Sequence, residues 1–335
     1  MKTFMAILAN QKVLTLDYWK RAEHLKKGDV VFDKDGNPAQ VTLVQPYTPK
    51  ECYEVLFNDY LTLAGDEKMG FIAENRNDRI KESKYKQKLK TNRPLRNKKI
   101  KDLLEEPLHN TEHHYFEYSV RTTPPISLPT QLLPVPPFVF GFWFINRKRG
   151  GYMVAPLGTA DMIYEQFRDA GYAIKETNGT SSKRRRFITT PSIRDQLAPF
   201  VPYKIPGNYM MAAPDQRIEL LRGILHAKKS CYNKATDNFR FTVKDATIAK
   251  QIQWLVESLG HKTALTYNPI IKSYIVTFKS KLKLMTDQDS KPLKWAYGRR
   301  YIRKITKIDP APCVHIETNG ANGTMLVGEG FIACH

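Results

Sequence analysis

The four cysteines are the residues best suited to covalent or metal chemistry, and their spacing limits which chemistry they can share. Cys52, Cys231, Cys313 and Cys334 lie far apart along the chain and form no Cys-x-x-Cys pair. Zinc ligands usually come in closely spaced pairs, and disulfide-stabilised domains are short and rich in cysteine. The spacing therefore predicts neither a zinc site nor a disulfide framework, and it favours a reducing cytosol.

Basic side chains are the second chemically distinctive group. The chain has 53 Lys and Arg against 33 Asp and Glu, a formal charge of +20, and residues 75–101 alone hold twelve basic and two acidic residues. Such a field attracts DNA through phosphate contacts and counterion release, without reading base sequence. We predict binding of double-stranded DNA here, with a solvated basic linker as the alternative. The predicted contacts are Lys84, Lys86, Lys88, Lys90, Arg93 and Arg96.

Length and composition are those of a globular protein with several domains. A chain of 335 residues can form two or three domains, and 41% hydrophobic with 11% aromatic residues excludes a disordered tail. No apolar run approaches the roughly 20 residues of a membrane span. Residues 1–5 lack the charged and then apolar pattern of a secretory signal. We expect a cytoplasmic protein with no membrane partner.

The hydrophobic pattern changes from β to α/β and back. Short alternating runs and turn clusters predict β-strands before residue 75, one of them over 60–63, and again at 301–305, 314–316, 325–327 and 330–332. The basic stretch is predicted to be partly helical through residues 100–104. Six prolines between residues 123 and 137 predict a domain boundary. Helical spacing predicts helices at 138–145, 160–171, 216–227 and 248–259, with strands at 238–242 and 273–278. The helix-and-strand pattern occurs twice, which predicts a pseudo-symmetric α/β domain inserted into a β domain.

Both ends of the sequence resemble the two halves of an intein. Residues 6–15 (AILANQKVLT), Trp19 and residues 25–32 (LKKGDVVF) are similar to the opening block of that family. Residues 312–317 (PCVHIE) and 325–335 (MLVGEGFIACH) are similar to its closing blocks. The resemblance implies an all-β Hint-type splicing domain formed by both termini, residues 1–74 and 293–335. It also implies autocatalytic protein splicing without a cofactor, with flanking host-protein segments (exteins) as partners.

The middle of the sequence resembles a two-motif LAGLIDADG homing endonuclease. Residues 140–146 (FGFWFIN) match the first motif and residues 216–228 (QRIELLRGILHAK) match the second. The resemblance implies a degenerate α/β (α+β) LAGLIDADG-like domain over 138–292. It would follow a basic DNA-recognition-like region over 75–122 and a proline-rich linker over 123–137. The resemblance also implies a microbial or phage-encoded protein.

The resemblance places Ala6 at the upstream splice junction, with residues 1–5 as a remnant of the upstream flank. The family carries a Cys or Ser there, whose side chain attacks the preceding carbonyl, and Ala6 has no nucleophile. Either a Cys was replaced, or the chain is a natural variant that attacks from elsewhere. Cys313 matches an internal nucleophilic Cys of one intein subclass, but Gly70 and Cys334 stand at the positions of its Trp and Thr partners. A buried small hydrophobe is the alternative interpretation of Cys313.

Two further splicing positions follow from the resemblance. Lys68, or Glu67 in another alignment, takes the place of the mid-block His that activates the first scissile amide. An ammonium is not an acid tuned near neutrality, so we expect that step to be impaired. His335 matches the penultimate His that assists Asn cyclisation at the downstream junction. We expect an Asn to follow it in the full reading frame.

The endonuclease motifs depart from the family where the metal would bind. An intact LAGLIDADG site uses one acid at the foot of each motif helix to hold Mg²⁺, and these positions are Asn146 and Lys228. His226 replaces a further customary Asp. An amide is a weak Mg²⁺ ligand and an ammonium repels the cation, so we expect no bound metal and no DNA cleavage. Gly141 and Gly223 are retained, and their lack of a Cβ would let the two helices cross closely.

Basic clusters beside the first motif extend the predicted DNA interface, because strands of this fold lie along DNA. A solvated loop is the alternative interpretation. Two other functions remain open: a DNA-binding protein that has lost splicing and cleavage, and a homing endonuclease that cuts with atypical residues. The additional predicted contacts are Arg147, Arg149, Lys183, Arg184, Arg185 and Arg186.

Overall fold

The computed structural model describes residues 5–85, 96–146, 152–177, 184–189, 196, 204–228, 231–286, 288 and 298–335. The chain forms two compact units. The first comprises Met1–Ser127, Gly260–Lys262 and Lys294–His335, and the second comprises Leu128–Leu259 and Thr263–Leu293. Among the helices that the structure describes, none is long and apolar enough to cross a membrane.

The first unit consists mostly of antiparallel strands. Its helices are α1 (Arg76–Tyr85) and α2 (Ile100–Leu104). Its strands are β1 (Met5–Leu8), β2 (Lys12–Thr15), β3 (Tyr18–Arg21), β4 (Val30–Phe32), β5 (Pro38–Tyr47), β6 (Cys52–Phe57), β7 (Thr62–Gly65), β8 (Gly70–Glu74), β9 (Arg96–Lys99), β10 (His109–Asn110), β11 (Tyr115–Phe116), β12 (Ser119–Arg121), β20 (Arg299–Ile308), β21 (Cys313–Thr318), β22 (Met325–Val327) and β23 (Ile332–Cys334). The labels β13 to β19 belong to the second unit.

Strands from the two ends of the sequence alternate in one sheet. The order among the described strands is β3-β2-β22-β23-β8-β12-β20-β6-β7-β1-β21-β5-β4, with β9 paired to β8. Alternating side chains of these strands enter one core, where Phe57 meets Phe71 edge to face at 5.9 Å and packs with Val314 and Ile316. Each such side chain contributes about 1.5–3 kcal/mol by leaving water. Neither terminal segment could bury its apolar face without the other.

The structure confirms most predicted strands of this unit and corrects two. The strand predicted at 330–332 is wrong in its bounds, because β23 starts at Ile332. Phe331 has a φ of +52°, and its N–H donates to the Gly328 carbonyl oxygen at 3.0 Å, which closes a turn before the strand. The strand predicted from residue 60 starts at Thr62, because Tyr60 (φ +65°) closes a similar turn on Phe57. Helix α2 covers residues 100–104, as predicted.

Helix α1 lies in the basic stretch and was not predicted from the sequence. The side chain of Asn75 accepts a hydrogen bond from Asp78 N at 2.9 Å, and the Asp78 carboxylate accepts one from Asn75 N at 3.3 Å. This reciprocal pair satisfies two donors that a helix start leaves unpaired. The Asn-x-x-Asp spacing therefore indicates a helix start in the sequence, although the many charged residues around it make this pattern easy to overlook.

The second unit contains two successive helix-and-sheet groups. Its helices are α3 (Pro137–Asn146), α4 (Leu157–Asp169), α5 (Gly207–Met210), α6 (Pro214–His226) and α7 (Ala246–Ser258). Its strands are β13 (Tyr152–Pro156), β14 (Ile174–Thr177), β15 (Arg184–Thr189), β16 (Tyr232–Asn233), β17 (Asn238–Val243), β18 (Thr263–Asn268) and β19 (Ser273–Phe278). The described strands form the sheets β13-β15-β14 and β16-β17-β19-β18. The four predicted helices are confirmed, although α4 starts three residues earlier than predicted.

Helices α3 and α6 pack backbone against backbone at two glycines. A Cβ on Gly141 would collide with the carbonyl oxygen of Leu220 and lie 3.1 Å from Ile224 N. A Cβ on Gly223 would collide with the carbonyl oxygen of Phe138 and lie 2.9 Å from Phe142 N. Real Cβ atoms essentially never lie closer than 3.0 Å to another atom, and both glycines have such a contact. The predicted close crossing at Gly141 and Gly223 is therefore confirmed.

Candidate functional site

In strand β1, Ala6 lies between two strands, β21 and β7, that bring polar side chains near it. Ala6 is 1% exposed and lies directly opposite His315 of β21. On its other side Ile7 pairs with Gly65, and Asp66 follows at the level of Ala6 in the antiparallel register. A Cβ on Gly65 would collide with the Ala6 carbonyl oxygen, so only glycine lets β7 approach this closely. The peptide bond before Ala6 thus lies in a buried part of the sheet.

Further polar residues share the face of the sheet that carries the Ala6 side chain. Cys313 lies opposite both Leu8 and Tyr47, and the Tyr47 hydroxyl donates to Asp66 Oδ2 at 2.6 Å. The Cys313 sulfur lies 4.0 Å from the sulfur of Cys52. We name this set the junction cluster: Ala6, Tyr47, Cys52, Asp66, Cys313 and His315.

Burial controls protonation in the junction cluster. It raises the pKa of the Cys313 thiol, and the neighbouring Cys52 thiol raises it further. Burial also raises the pKa of the Tyr47 hydroxyl, which its hydrogen bond to Asp66 reinforces. Cys313 is therefore a neutral thiol at neutral pH, and attack by its sulfur first requires loss of the proton.

The register separates Cys313 from the bond before Ala6. Met5 pairs with Ile316, whereas Cys313 pairs with Leu8, three residues further along β1. At about 3.4 Å per residue this is roughly 10 Å along the strand. In the described arrangement His315 is the residue opposite Ala6, and a direct attack by Cys313 on the Met5 carbonyl would require β1 to shift.

Lys68 does not enter the junction cluster. Its side chain is exposed, as is that of Glu67, and its backbone N–H donates to Asp66 Oδ1 at 2.8 Å. Asp66 is only 2% exposed and also accepts from Met69 N at 3.1 Å. The role predicted for Lys68 stays a prediction, and the buried acid of this segment is Asp66.

Asp66 and His315 are not among the site residues predicted from the sequence. The mid-block His that the intein resemblance implies could indicate neither, since Asp66 is not a histidine and His315 lies on another strand. The available signal was the two-residue period of β21, which places Cys313, His315 and Glu317 on one face. His315 Nε2 lies 3.8 Å from Glu317 Oε1, and both side chains are about 15% exposed. This face therefore offers a histidine and a carboxylate beside Ala6.

His335 packs against the backbone of Gly70. The two residues exchange backbone hydrogen bonds of 3.0 and 3.1 Å, and a Cβ on Gly70 would lie 2.5 Å from His335 Nδ1. The imidazole is fully buried, and neither ring nitrogen has a hydrogen-bond partner among the described residues. Burial lowers its pKa, and the charge of Lys99 lowers it further, so the ring is neutral at neutral pH. Cys334 is also buried, which raises the pKa of its thiol.

The residues at the predicted metal positions do not fit Mg²⁺. The Asn146 amide donates to the Val154 carbonyl, and His226 Nδ1 lies 2.8 Å from the Arg222 carbonyl oxygen. Lys228 is exposed just beyond α6. Mg²⁺ requires oxygen donors, usually carboxylates, and the described residues include no group of three His, Cys, Asp or Glu that could hold a metal ion.

The structure locates only part of the predicted DNA interface. Arg96 is exposed on β9, 3.6 Å from the Asp78 carboxylate, and Lys84 lies in α1. Residues 184–186 lie in β15, which pairs with β13 and β14. The remaining predicted contacts lie outside the described residues: Lys86, Lys88, Lys90, Arg93, Arg147, Arg149 and Lys183.

Comparison with known proteins finds two kinds of similar structure. No protein-family model and no curated protein matches the sequence. Mesophilic variants of the homing endonuclease I-DmoI are 8% identical over 44% of this chain and 89% of theirs, with a TM-score of 0.33. I-DmoI in complex with DNA and Mn is 9% identical over the same shares of the two chains, with a TM-score of 0.32.

Intein splicing domains are the second kind. The MchDnaB-1 intein is 22% identical over 20% of this chain, with a TM-score of 0.20, and the match spans 53% of that intein. The similar structures thus include both families that the sequence resembles.

Proposed function

We propose that this chain is an intein whose first unit splices proteins and whose second unit binds DNA without cutting it. The observation that supports splicing most directly is the interleaving of the two terminal segments in one sheet. It brings Ala6 beside β21, which carries Cys313 and His315, and brings His335 beside β8. Acyl transfer at two distant peptide bonds requires such ordered positioning.

At the upstream junction the reaction is an acyl transfer to a thiol. The Cys313 sulfur loses its proton and attacks the Met5 carbonyl carbon, the bond to Ala6 N breaks, and that nitrogen takes up a proton. An imidazole is the side chain best suited to give this proton near neutrality, and His315 lies opposite Ala6. The raised pKa of Cys313 makes the step slow at neutral pH.

At the downstream junction His335 would assist cyclisation of a following Asn. Its ring is held against Gly70 in the neutral state, in which one nitrogen can accept a proton while the other donates. The absence of hydrogen-bond partners within the described residues leaves both nitrogens available for such a group. The role is the one the intein resemblance implies.

In the second unit, basic residues together with an unsuitable metal site support the proposal of DNA binding without cleavage. Lys228 brings a positive charge to one metal position, and the Asn146 amide at the other is engaged with backbone. Phosphate attraction requires only the positive field, whereas hydrolysis requires the cation. We therefore expect duplex DNA to be retained and not cut in the presence of Mg²⁺ or Mn²⁺.

One observation favours a second candidate, a DNA-binding protein without splicing activity. Ala6 lacks a nucleophile, and the Cys313 sulfur contacts Cys52 about 10 Å along the strand from the scissile bond. If β1 cannot shift, no nucleophile reaches the Met5 carbonyl.

A restored junction separates the two candidates. The chain is flanked by two test proteins, with Ala6→Cys and with Asn and then Ser added after His335, and the products are separated by electrophoresis. Splicing or thiol-induced release of the upstream flank supports our proposal. An unchanged precursor, with the fold intact by circular dichroism, supports the DNA-binding candidate.

A further inference from the structure

Two of the four cysteines meet although 261 residues separate them. Cys52 starts β6 and Cys313 starts β21, and their sulfurs lie 4.0 Å apart in van der Waals contact. Both residues are buried, with 0% and 1% exposed surface. The other two thiols lie elsewhere, Cys231 before β16 and Cys334 at the end of β23. The spacing of cysteines along the sequence predicted no disulfide, and this contact is the structural reason to revise that prediction.

We propose that Cys52 and Cys313 are a disulfide-forming pair, oxidised by small-molecule disulfides. A disulfide bond requires the sulfurs to approach by about 2 Å more, to roughly 2.05 Å. Each sulfur is carried on one rotatable bond, so modest rotations of the two side chains can supply this approach. The pair would link the two terminal segments of the first unit covalently.

A short surface segment covers the pair. The Cys52 sulfur contacts the backbone of Ala311, at 3.4 Å from its N and 3.7 Å from its O. Asp309, Pro310 and Pro312, which flank Ala311, are exposed. Proline has no N–H, so this segment can donate few backbone hydrogen bonds to the rest of the fold. Its local opening would admit a small oxidant without unfolding of the sheet.

The exchange proceeds in two balanced steps. One cysteine, as thiolate, attacks a sulfur of oxidised glutathione, forms a mixed disulfide and releases one glutathione thiolate. The second cysteine, also deprotonated, attacks the protein sulfur of that mixed disulfide and releases the second glutathione thiolate. The protein loses two hydrogen atoms as protons and two electrons, and oxidised glutathione becomes two molecules of reduced glutathione. Since burial raises the Cys313 pKa, the exchange should quicken as pH rises.

A consequence for splicing rests on the proposed function. If Cys313 is the internal nucleophile, the disulfide removes its thiol and stops the first step. Splicing should then fall in proportion to the oxidised fraction and return after reduction. The same chemistry would act as a redox control of the junction cluster.

The test uses the full chain and oxidised glutathione, followed by alkylation and mass spectrometry. We expect a loss of about 2 Da, one cross-linked peptide containing Cys52 and Cys313, and full reversal by dithiothreitol. Cys52→Ser should abolish the cross-link, and the matched buried control Cys231→Ser should retain it. Four free thiols after prolonged oxidation, or a cross-link to any other cysteine, would overturn the proposal. If Cys52→Ser does not fold, the peptide map of the unaltered chain decides alone.

A second arm separates this proposal from the proposed function. A splicing precursor that retains Ala6 is assayed with and without prior oxidation. A cross-link in a precursor that never splices when reduced refutes the internal-nucleophile route and leaves the disulfide established. Undiminished splicing by a fully cross-linked precursor refutes the redox control.

Discussion

Replacing Gly223 by alanine tests how closely α3 and α6 cross. The new Cβ would collide with the Phe138 carbonyl oxygen and lie 2.9 Å from Phe138 C and Phe142 N, whereas ordinary contacts begin at 3.4 Å. All three obstacles are backbone atoms, so no side-chain rotation relieves them, and the helices must move apart. Overpacking of this kind costs about 1–3 kcal/mol. Alanine's higher helix propensity returns about 1 kcal/mol. We expect a net loss of up to about 2 kcal/mol in the free energy of unfolding.

Gly158→Ala in α4 is the matched control. Apart from its chain neighbours and its own helix backbone, no atom of the described residues lies within 4 Å of the Cβ that it adds. Helix propensity should therefore stabilise the protein by up to about 1 kcal/mol. The assay is urea unfolding, followed by circular dichroism and by the fluorescence of Trp143 and Trp254 in the second unit. A lower midpoint with an unchanged slope identifies a loss of stability. Equal or greater stability for Gly223→Ala than for the unaltered protein would refute the crossing geometry.

Three further predictions concern the candidate sites. Gly70→Ala should lower the melting temperature by displacing His335, because its Cβ would lie 2.5 Å from His335 Nδ1; an unchanged melting curve would contradict the contact. Acyl transfer by Cys313 should speed up about tenfold per pH unit between pH 7 and 9, since its raised pKa leaves the thiolate scarce; a pH-independent rate would exclude Cys313. Triple alanine replacement in β15 should weaken duplex DNA binding and reduce the salt slope by about 0.9 per lost phosphate contact, as band shifts at several salt concentrations would show; unchanged binding would exclude these residues. The residues replaced are Arg184, Arg185 and Arg186.

Hydrophobic periodicity predicted those helices and strands in which one regular pattern covers the whole element. The apolar run that forms α3 and the spacing of Leu220, Leu221 and Ile224 in α6 predicted both motif helices, and the glycines in them predicted the close crossing. Strand ends were harder, because turns at Tyr60 and Phe331 use positive φ angles that neither residue type favours. These turns depend on neighbouring strands that the local sequence does not reveal.

The candidate site was predicted only in part, because its residues come from strands remote in sequence. Family patterns led to Cys313 and His335, and both side chains are buried. The contact between Cys313 and Cys52, and the position of His315 opposite Ala6, depend on strand register, which no single segment determines. Alignment with the family pointed to Lys68, which is exposed, whereas the buried acid of the same segment is Asp66.

The most direct test of the central claim is the intact mass of the products from a precursor that retains Ala6. The chain carries flanking test proteins and, after His335, an Asn followed by a Ser, and the reaction is run at pH 8 under reducing conditions. We predict a product in which the two flanks are joined by a peptide bond, together with the excised chain, and loss of both products on Cys313→Ala. A folded precursor that yields no joined flanks, alone or after Ala6→Cys, would contradict the claim that this chain splices proteins.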